Sequence, residues 1–265
     1  FMASAVLRGL VESKALQREP EGWRIEPLAL ADLQSSTSAA EFLSCRLDLL
    51  PERVTQLLTV GAVLGKEFNL SIAAELAGQS SEDAITALDE ARSRHLLWVR
   101  PDGSMCVFVH DRIRSTLLDR LPLKERRKLH YKAAIHLQNE VPDAYFNLAY
   151  HFDEAGKSEL ALDYALRVAD EARRRHATEI AEQQYRIAQR GSLQAPASTR
   201  YRIAEGLGDV MMMRGNYDEA ATLLEKAAVL AEGPISQAST QGKIGELAFK
   251  RGDIEKAIRS FEDAL

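Results

Sequence analysis

The 265 residues specify a mainly α-helical chain, a three-helix domain with small β-wings followed by an α–α superhelix of paired helices. Three observations carry this. The C-terminal third is self-similar at a fixed period. Apolar residues recur at three- and four-residue spacing along most of the chain. β-Rich runs are confined to short pieces beside Pro and Gly turns.

The elements follow in order. From Ala3 to Leu16, Val6, Leu7, Leu10 and Val11 fall at helical spacing. "QREPEGWRIEP" then places Pro20 and Glu21-Gly22 ahead of the β-like "WRI", reading as a hairpin or wing. "SSTSAAEFLSCRLDLL" is a Ser-rich loop entering a helix near 39–47. Pro51 suits a first helical turn, and "PERVTQLLTVGAVLG" repeats Val54, Leu57, Leu58 and Val63 up to Gly65. "NLSIAAELAG" forms a second helix stopped by Gly78. "SSEDAITALDEARSRHLL" forms a third, opened by Ser80 with Asp83 three residues on. "WVRPDGSMCVFV" holds two β-rich runs around Pro101-Asp102-Gly103, a hairpin signal. Three helices and a hairpin over 48–121 make a winged helix. The helix "HDRIRSTLLDRL" leaves it, and "PLKERRKLHYKAAIHLQ" follows.

From 122 to the end the chain repeats. Gly208, Gly215, Ala220 and Ala227 match Gly245, Gly252, Ala257 and Ala264, each pair 37 apart. Small residues at these places let two helices approach closely around a tight turn, the pattern of tetratricopeptide repeats, whose usual period is about 34. Ala149, Gly156 and Ala161, in "AYFNLAYHFDEAGKSELALDYALRVADEA", fit the same template of a first and second helix. Ala181, Tyr185 and Ala188 fit a further second helix. The chain starts and stops inside helical patterns, so the expectation is a piece of a longer protein with a truncated repeat array.

Composition and motifs exclude several classes. At 46% hydrophobic and 28% charged, with no apolar run near the roughly 20 residues of a membrane span, the expectation is a soluble cytoplasmic chain. Two cysteines, Cys45 and Cys106, make no disulfide framework. A net charge of −5 argues against bulk nucleic-acid binding, and the third helix carries Glu82 and Asp83 where a DNA reader would meet bases. "GAVLGKEF" (61–68) imitates a phosphate loop but has three residues between its glycines and Glu67 after the lysine. His130 and His136, six apart, do not share a helix face. No metal or nucleophile constellation stands out, so no catalytic residue is assigned and the chain reads as non-enzymatic.

The candidate site is the groove side of the repeats. At equivalent positions of the expected first helices stand Tyr150 and Asp153, then Glu205, Asp209 and Met212, then Glu246 and Phe249. This set lacks the Lys, Arg and Asn of a carboxylate clamp and suits an apolar or basic ligand. His110, in "CVFVHDRIRSTLLDRL", is either a buried structural histidine or a residue that meets a ligand.

The order helix and wing, "RLDLLPERVTQLLTVGAVLGKEF", wing, "FVHDRIRSTLLDRL", then repeats resembles the C-terminal half of bacterial STAND-type signalling ATPases. These include large ATP-binding transcription regulators and relatives fused to kinase or cyclase modules. The resemblance implies that 1–47 is the end of an ATPase module whose Walker motifs lie upstream. It further implies that Val109-His110-Asp111 stands for a Met-His-Asp signature, making His110 a sensor of the ADP phosphate in the full-length protein. Cofactors would then be ATP or ADP in that protein and none in this chain. The repeats would take a protein or small-ligand inducer, and the winged helix would couple them to the nucleotide state. The alternative is a DNA-binding regulator using the winged helix itself.

Overall fold

A computed structural model describes residues 11, 16–19, 22–25 and 47–265. The helix expected over 3–16, the Ser-rich loop and the helix near 39–47 lie outside the described residues. The chain divides into two units, Phe1–Leu129 and His130–Leu265.

In the first unit, β1 (Leu16–Glu19) and β2 (Gly22–Ile25) pair antiparallel with Leu16 opposite Ile25. Then come α1 (Glu52–Leu64), β3 (Glu67–Phe68), α2 (Leu70–Ala77), α3 (Ser81–Ser93), β4 (Leu97–Val99), β5 (Cys106–Phe108) and α4 (Asp111–Arg120). β5 lies between β3 and β4, antiparallel to both. The caps are as local chemistry dictates. The Asn69 side chain accepts the N–H groups of Ser71 and Ile72, and Ser80 accepts that of Asp83. Between β4 and β5, the Asp102 carboxylate accepts the Ser104 N–H and hydroxyl, closing the expected turn. The core joins Val54, Leu57 and Leu58 of α1 to Phe68, Phe108, Ile113 and Leu117. Gly61 is what lets the sheet reach α1: a Cβ there would stand 2.5 Å from the Phe68 ring. Cys106 is a free thiol in this core, its pKa pushed up by burial.

Helix α5 (Leu123–Glu140) contains the division between the units. The second unit continues with α6 (Tyr145–Glu154), α7 (Ser158–Arg174), α8 (Thr178–Gly191), α9 (Ala197–Met213), α10 (Tyr217–Leu230), α11 (Pro234–Lys250) and α12 (Ile254–Glu262). One turn recurs four times. Gly156, His176, Gly215 and Gly252 all sit in the left-handed region, at φ 72°, 58°, 78° and 81°. Each N–H returns to the carbonyl three residues back, and the next N–H to the carbonyl five before it. For Gly215 and Asn216 these are Met212 and Met211; for His176 and Ala177 they are Arg173 and Ala172. His176 is thus the glycine position of a repeat that carries no glycine there.

That turn resets the pairing. Ala169, Gly208 and Gly245 precede it at one offset, and Ala181, Ala220 and Ala257 follow it at another. The repeat pairs are therefore α7–α8, α9–α10 and α11–α12, each packed helix on helix. Helix α6, read from the sequence as a first helix, packs on α7 and also on α8, so α7 fits a pair with either neighbour. The Gly156 turn has the same shape as the others, so sequence spacing alone accepted both frames. Among the described residues, no helix is long and apolar enough to cross a membrane.

Close approach sets the tolerances. A Cβ on Gly191 would lie 2.1 Å from the Ser158 carbonyl oxygen, a backbone atom that cannot swing aside. Gly242, inside α11, has nothing within 4 Å of the same position. Gly191→Ala should therefore destabilise by about 1–3 kcal/mol, whereas Gly242→Ala should stabilise by about 0.5–1 kcal/mol through lower chain entropy in the unfolded state. Urea denaturation of both variants checks the contrast.

Candidate functional site

The first helices α7, α9 and α11 carry a ladder of charges. Glu205 and Asp209 of α9 stand between Arg173 of α7 and Lys243 of α11. Arg173 Nη1 lies 3.1 Å from Glu205 Oε2 and 3.2 Å from Asp209 Oδ2. Lys243 Nζ lies 2.7 Å from Glu205 Oε1 and 3.1 Å from Asp209 Oδ2. The two carboxylates are only 13% and 17% exposed, so their charges are shielded from water and held by both neighbours. Burial works against the Arg173 charge, but Tyr185 and the carboxylates of Glu205, Asp209 and Asp170 outweigh it and hold its pKa above the usual value.

A second group extends the ladder inward. Tyr185 of α8, fully buried, donates its hydroxyl to Asp170 Oδ1 of α7 at 2.5 Å, and Arg202 of α9 binds the other oxygen of Asp170. Burial first, and then the bond to Asp170, raise the Tyr185 pKa far above its ordinary value, so the phenol remains a donor. The acids on this face are consumed by the protein's own bases. The face is charge-balanced rather than acidic, which removes the reason for assigning it a basic ligand.

The other candidate residues fall elsewhere. Asp153 joins the α6–α7 turn to α8, accepting the Ser158 hydroxyl at 2.7 Å and two Arg190 bonds at 3.1 and 2.5 Å. Those bonds hold the Arg190 pKa above its usual value. Tyr150 sits edge-on to the rings of His130 and His151. Met212, at 4% exposure, is part of the core, because α9 is packed on both sides; it is corrected from surface residue to packing residue. Glu246 is exposed and pairs with Lys250 at 3.3 Å, and Phe249 is 63% exposed. Of the seven, Glu205 and Asp209 are the two joined through shared partners.

Sequence reasoning missed Arg173, Lys243, Asp170, Arg202 and Tyr185 as one constellation. The recurrence of Asp170, Asp209 and Glu246 at one offset from the turns was the available signal. It also missed that His130 and His151, both buried, face each other with their Nδ1 atoms 3.0 Å apart, where one must donate and the other accept. Among the described residues no group of three His, Cys, Asp or Glu side chains could hold a metal.

His110 is exposed, which corrects the buried-histidine alternative. It is the N-cap of α4, its Nδ1 accepting the Arg112 N–H at 3.1 Å. With Nδ1 an acceptor, the neutral ring carries its proton on Nε2. Asp111, in the first turn of α4, faces Lys66 at 3.3 Å. Lys66 therefore meets a carboxylate, and the segment around it is the end of α1 at Gly65 rather than a loop between strand and helix.

Residues 199–265 match the tetratricopeptide repeat family. No curated protein matches the chain. Among solved structures, the chain is similar to a Signal Transduction ATPase with Numerous Domains (STAND) protein with a tetratricopeptide repeat sensor from Pyrococcus horikoshii. The identity is 16%, with 86% of this chain and 34% of that one covered, and the TM-score is 0.46. The chain thus spans about a third of that protein's length.

The ladder predicts a coupled response. Arg173→Met leaves both α9 carboxylates on Lys243 alone and should cost about 1–3 kcal/mol. In a Glu205→Gln, Asp209→Asn background the same change should cost less than about 1 kcal/mol, because nothing is left unpaired. A double-mutant cycle by equilibrium denaturation measures the difference.

Proposed function

We propose that this chain is the regulatory, non-catalytic interaction part of a STAND-type signal-transduction ATPase. The repeats serve as the sensor surface for a protein or small-ligand inducer, and the unit built from α1–α4 is a winged helix that couples them to a nucleotide held by an upstream module. The observation that carries the reading is the continuous face of α7, α9 and α11. Three successive helices are cross-linked by the Arg173–Glu205–Asp209–Lys243 ladder, which supports a role for them as one surface. The repeat-family match over 199–265 supports the interaction role.

His110 fits the coupling role. It is the N-cap of α4, where a helix end favours an anion. The DNA-binding alternative is weaker. The first turn of α3 carries Glu82 and Asp83, and its arginines Arg92 and Arg94 are engaged by Asp89 and Glu90.

The test uses a longer chain that includes the upstream nucleotide-binding module. His110→Asn keeps an N-cap side chain but removes the imidazole. ADP release measured with a fluorescent analogue should accelerate about tenfold to a hundredfold, the range of one charge-assisted hydrogen bond. Unchanged release sinks the sensor role. The 265-residue chain alone should show neither ATP turnover nor duplex DNA binding at low salt; either activity overturns the regulatory reading.

A further inference from the structure

We propose that the groove formed by α6, α7 and α8 is a binding site for an extended acidic peptide with apolar residues between its carboxylates. The proposal deepens the interaction reading above and rests on it. The groove has a volume of about 660 Å³, within the range of roughly 300–1,000 Å³ of ligand sites. Its floor is apolar, with Val168, Ala172, Ala177 and Ile180. Its walls are cationic and lie apart from the Arg173 ladder.

Three arginines line it against a single carboxylate, Glu171. Glu171 is shared by two of them, Arg174 and Arg175, each at 2.5 Å, and these arginines hold its pKa below the usual range, the bond from Arg174 contributing most. Arg167 has no carboxylate partner among the described residues. Its guanidinium lies 4.2 Å over the Tyr145 ring, which stacks in turn on Tyr164 at 6.2 Å. The stack holds the cation at the groove wall without neutralising it. In a chain of net charge −5, this is a local excess of positive charge.

The spacing selects the ligand. Arg167 and Arg174 stand seven residues apart on one helix, about 10 Å along its axis. In an extended peptide every second side chain shares a face, about 7 Å from the next, and the long flexible Arg and Glu side chains cover the remaining few ångströms. Carboxylates at alternate residues can then reach the two guanidiniums, while the apolar side chains between them, on the peptide's other face, meet the apolar part of the lining. Guanidiniums bind carboxylates through paired N–H donors, which a rigid groove wall favours. Nucleic acid is less suited, since three arginines without neighbouring lysines make a short phosphate footprint.

The experiment measures fluorescence anisotropy of a labelled decapeptide of alternating Glu and Leu against the whole 265-residue chain. Binding should weaken at least about tenfold in Arg167→Glu and in Arg174→Glu, as two exposed charge contacts would supply. It should also weaken as salt rises to about 0.3 M, where the Debye length shortens. Arg259→Glu, an exposed arginine of α12, should leave it unchanged. Arg167→Gln is the milder variant, and circular dichroism melts confirm that each variant is folded. Equal affinity for an alternating Gln and Leu peptide overturns the proposal, as does equal binding by the charge-reversed variants or tighter binding of a ten-nucleotide single strand. Any of these leaves the nucleotide-coupling reading standing, since that is measured separately by ADP release in the longer chain.

Discussion

The second unit depends on one buried phenol. Tyr185 is the largest side chain with essentially no exposure, and it fits only because α9 presents Gly206 to it; a Cβ there would lie 2.4 Å from the phenol. Its ring joins α8 to α9, and its hydroxyl reaches Asp170 on α7. Asp170 is then completed by Arg202 on α9. One side chain thus ties a repeat to its successor through packing, a hydrogen bond and an ion pair. Burying the hydroxyl without Asp170 would leave an unsatisfied donor in a dry interior, so the contact is strong only when every member is present.

The charge ladder follows the same logic. Half-buried carboxylates on α9 are stable where a guanidinium and an ammonium flank them, and that requires the first helices of three repeats to stand in one register. Repeat architectures normally gain stability from nearest-neighbour interfaces. Here the ladder adds polar cross-links to those interfaces, and it makes the shared face stiff and neutral. The charge-balanced first-helix face is thus distinct from the arginine-lined groove of α6–α8.

The first unit solves a different problem with similar means. Its small sheet reaches α1 because Gly61 leaves space for Phe68, which packs against Phe108 at 5.5 Å between ring centres. That packing fixes β5, and β5 leads directly to the His110 cap of α4. The imidazole itself is held locally, by the Arg112 N–H that its Nδ1 accepts.

Much of this was legible in the residues. Gly65, Gly78, Gly156, Gly215 and Gly252 announced the helix ends, Ser80 announced a cap, and the 37-residue recurrence announced the helix pairs, because turns and close approaches restrict which residue types can stand there. Where another residue met the same demand, legibility failed. His176 adopts the left-handed turn without being glycine, so the pairing of α7 with α8 was hidden. The partners of Glu205 and Asp209 were equally hidden, since they lie more than thirty residues away on other helices. Met212 looked like a groove residue because its spacing was right, yet α9 is enclosed on both sides. The sequence by itself determined the helices, their caps and the repeat period, since these are short-range steric and hydrogen-bonding demands. Only the tertiary structure decided which helix faces outward, which charges cancel and which arginines remain available, because those depend on packing between residues distant in the chain.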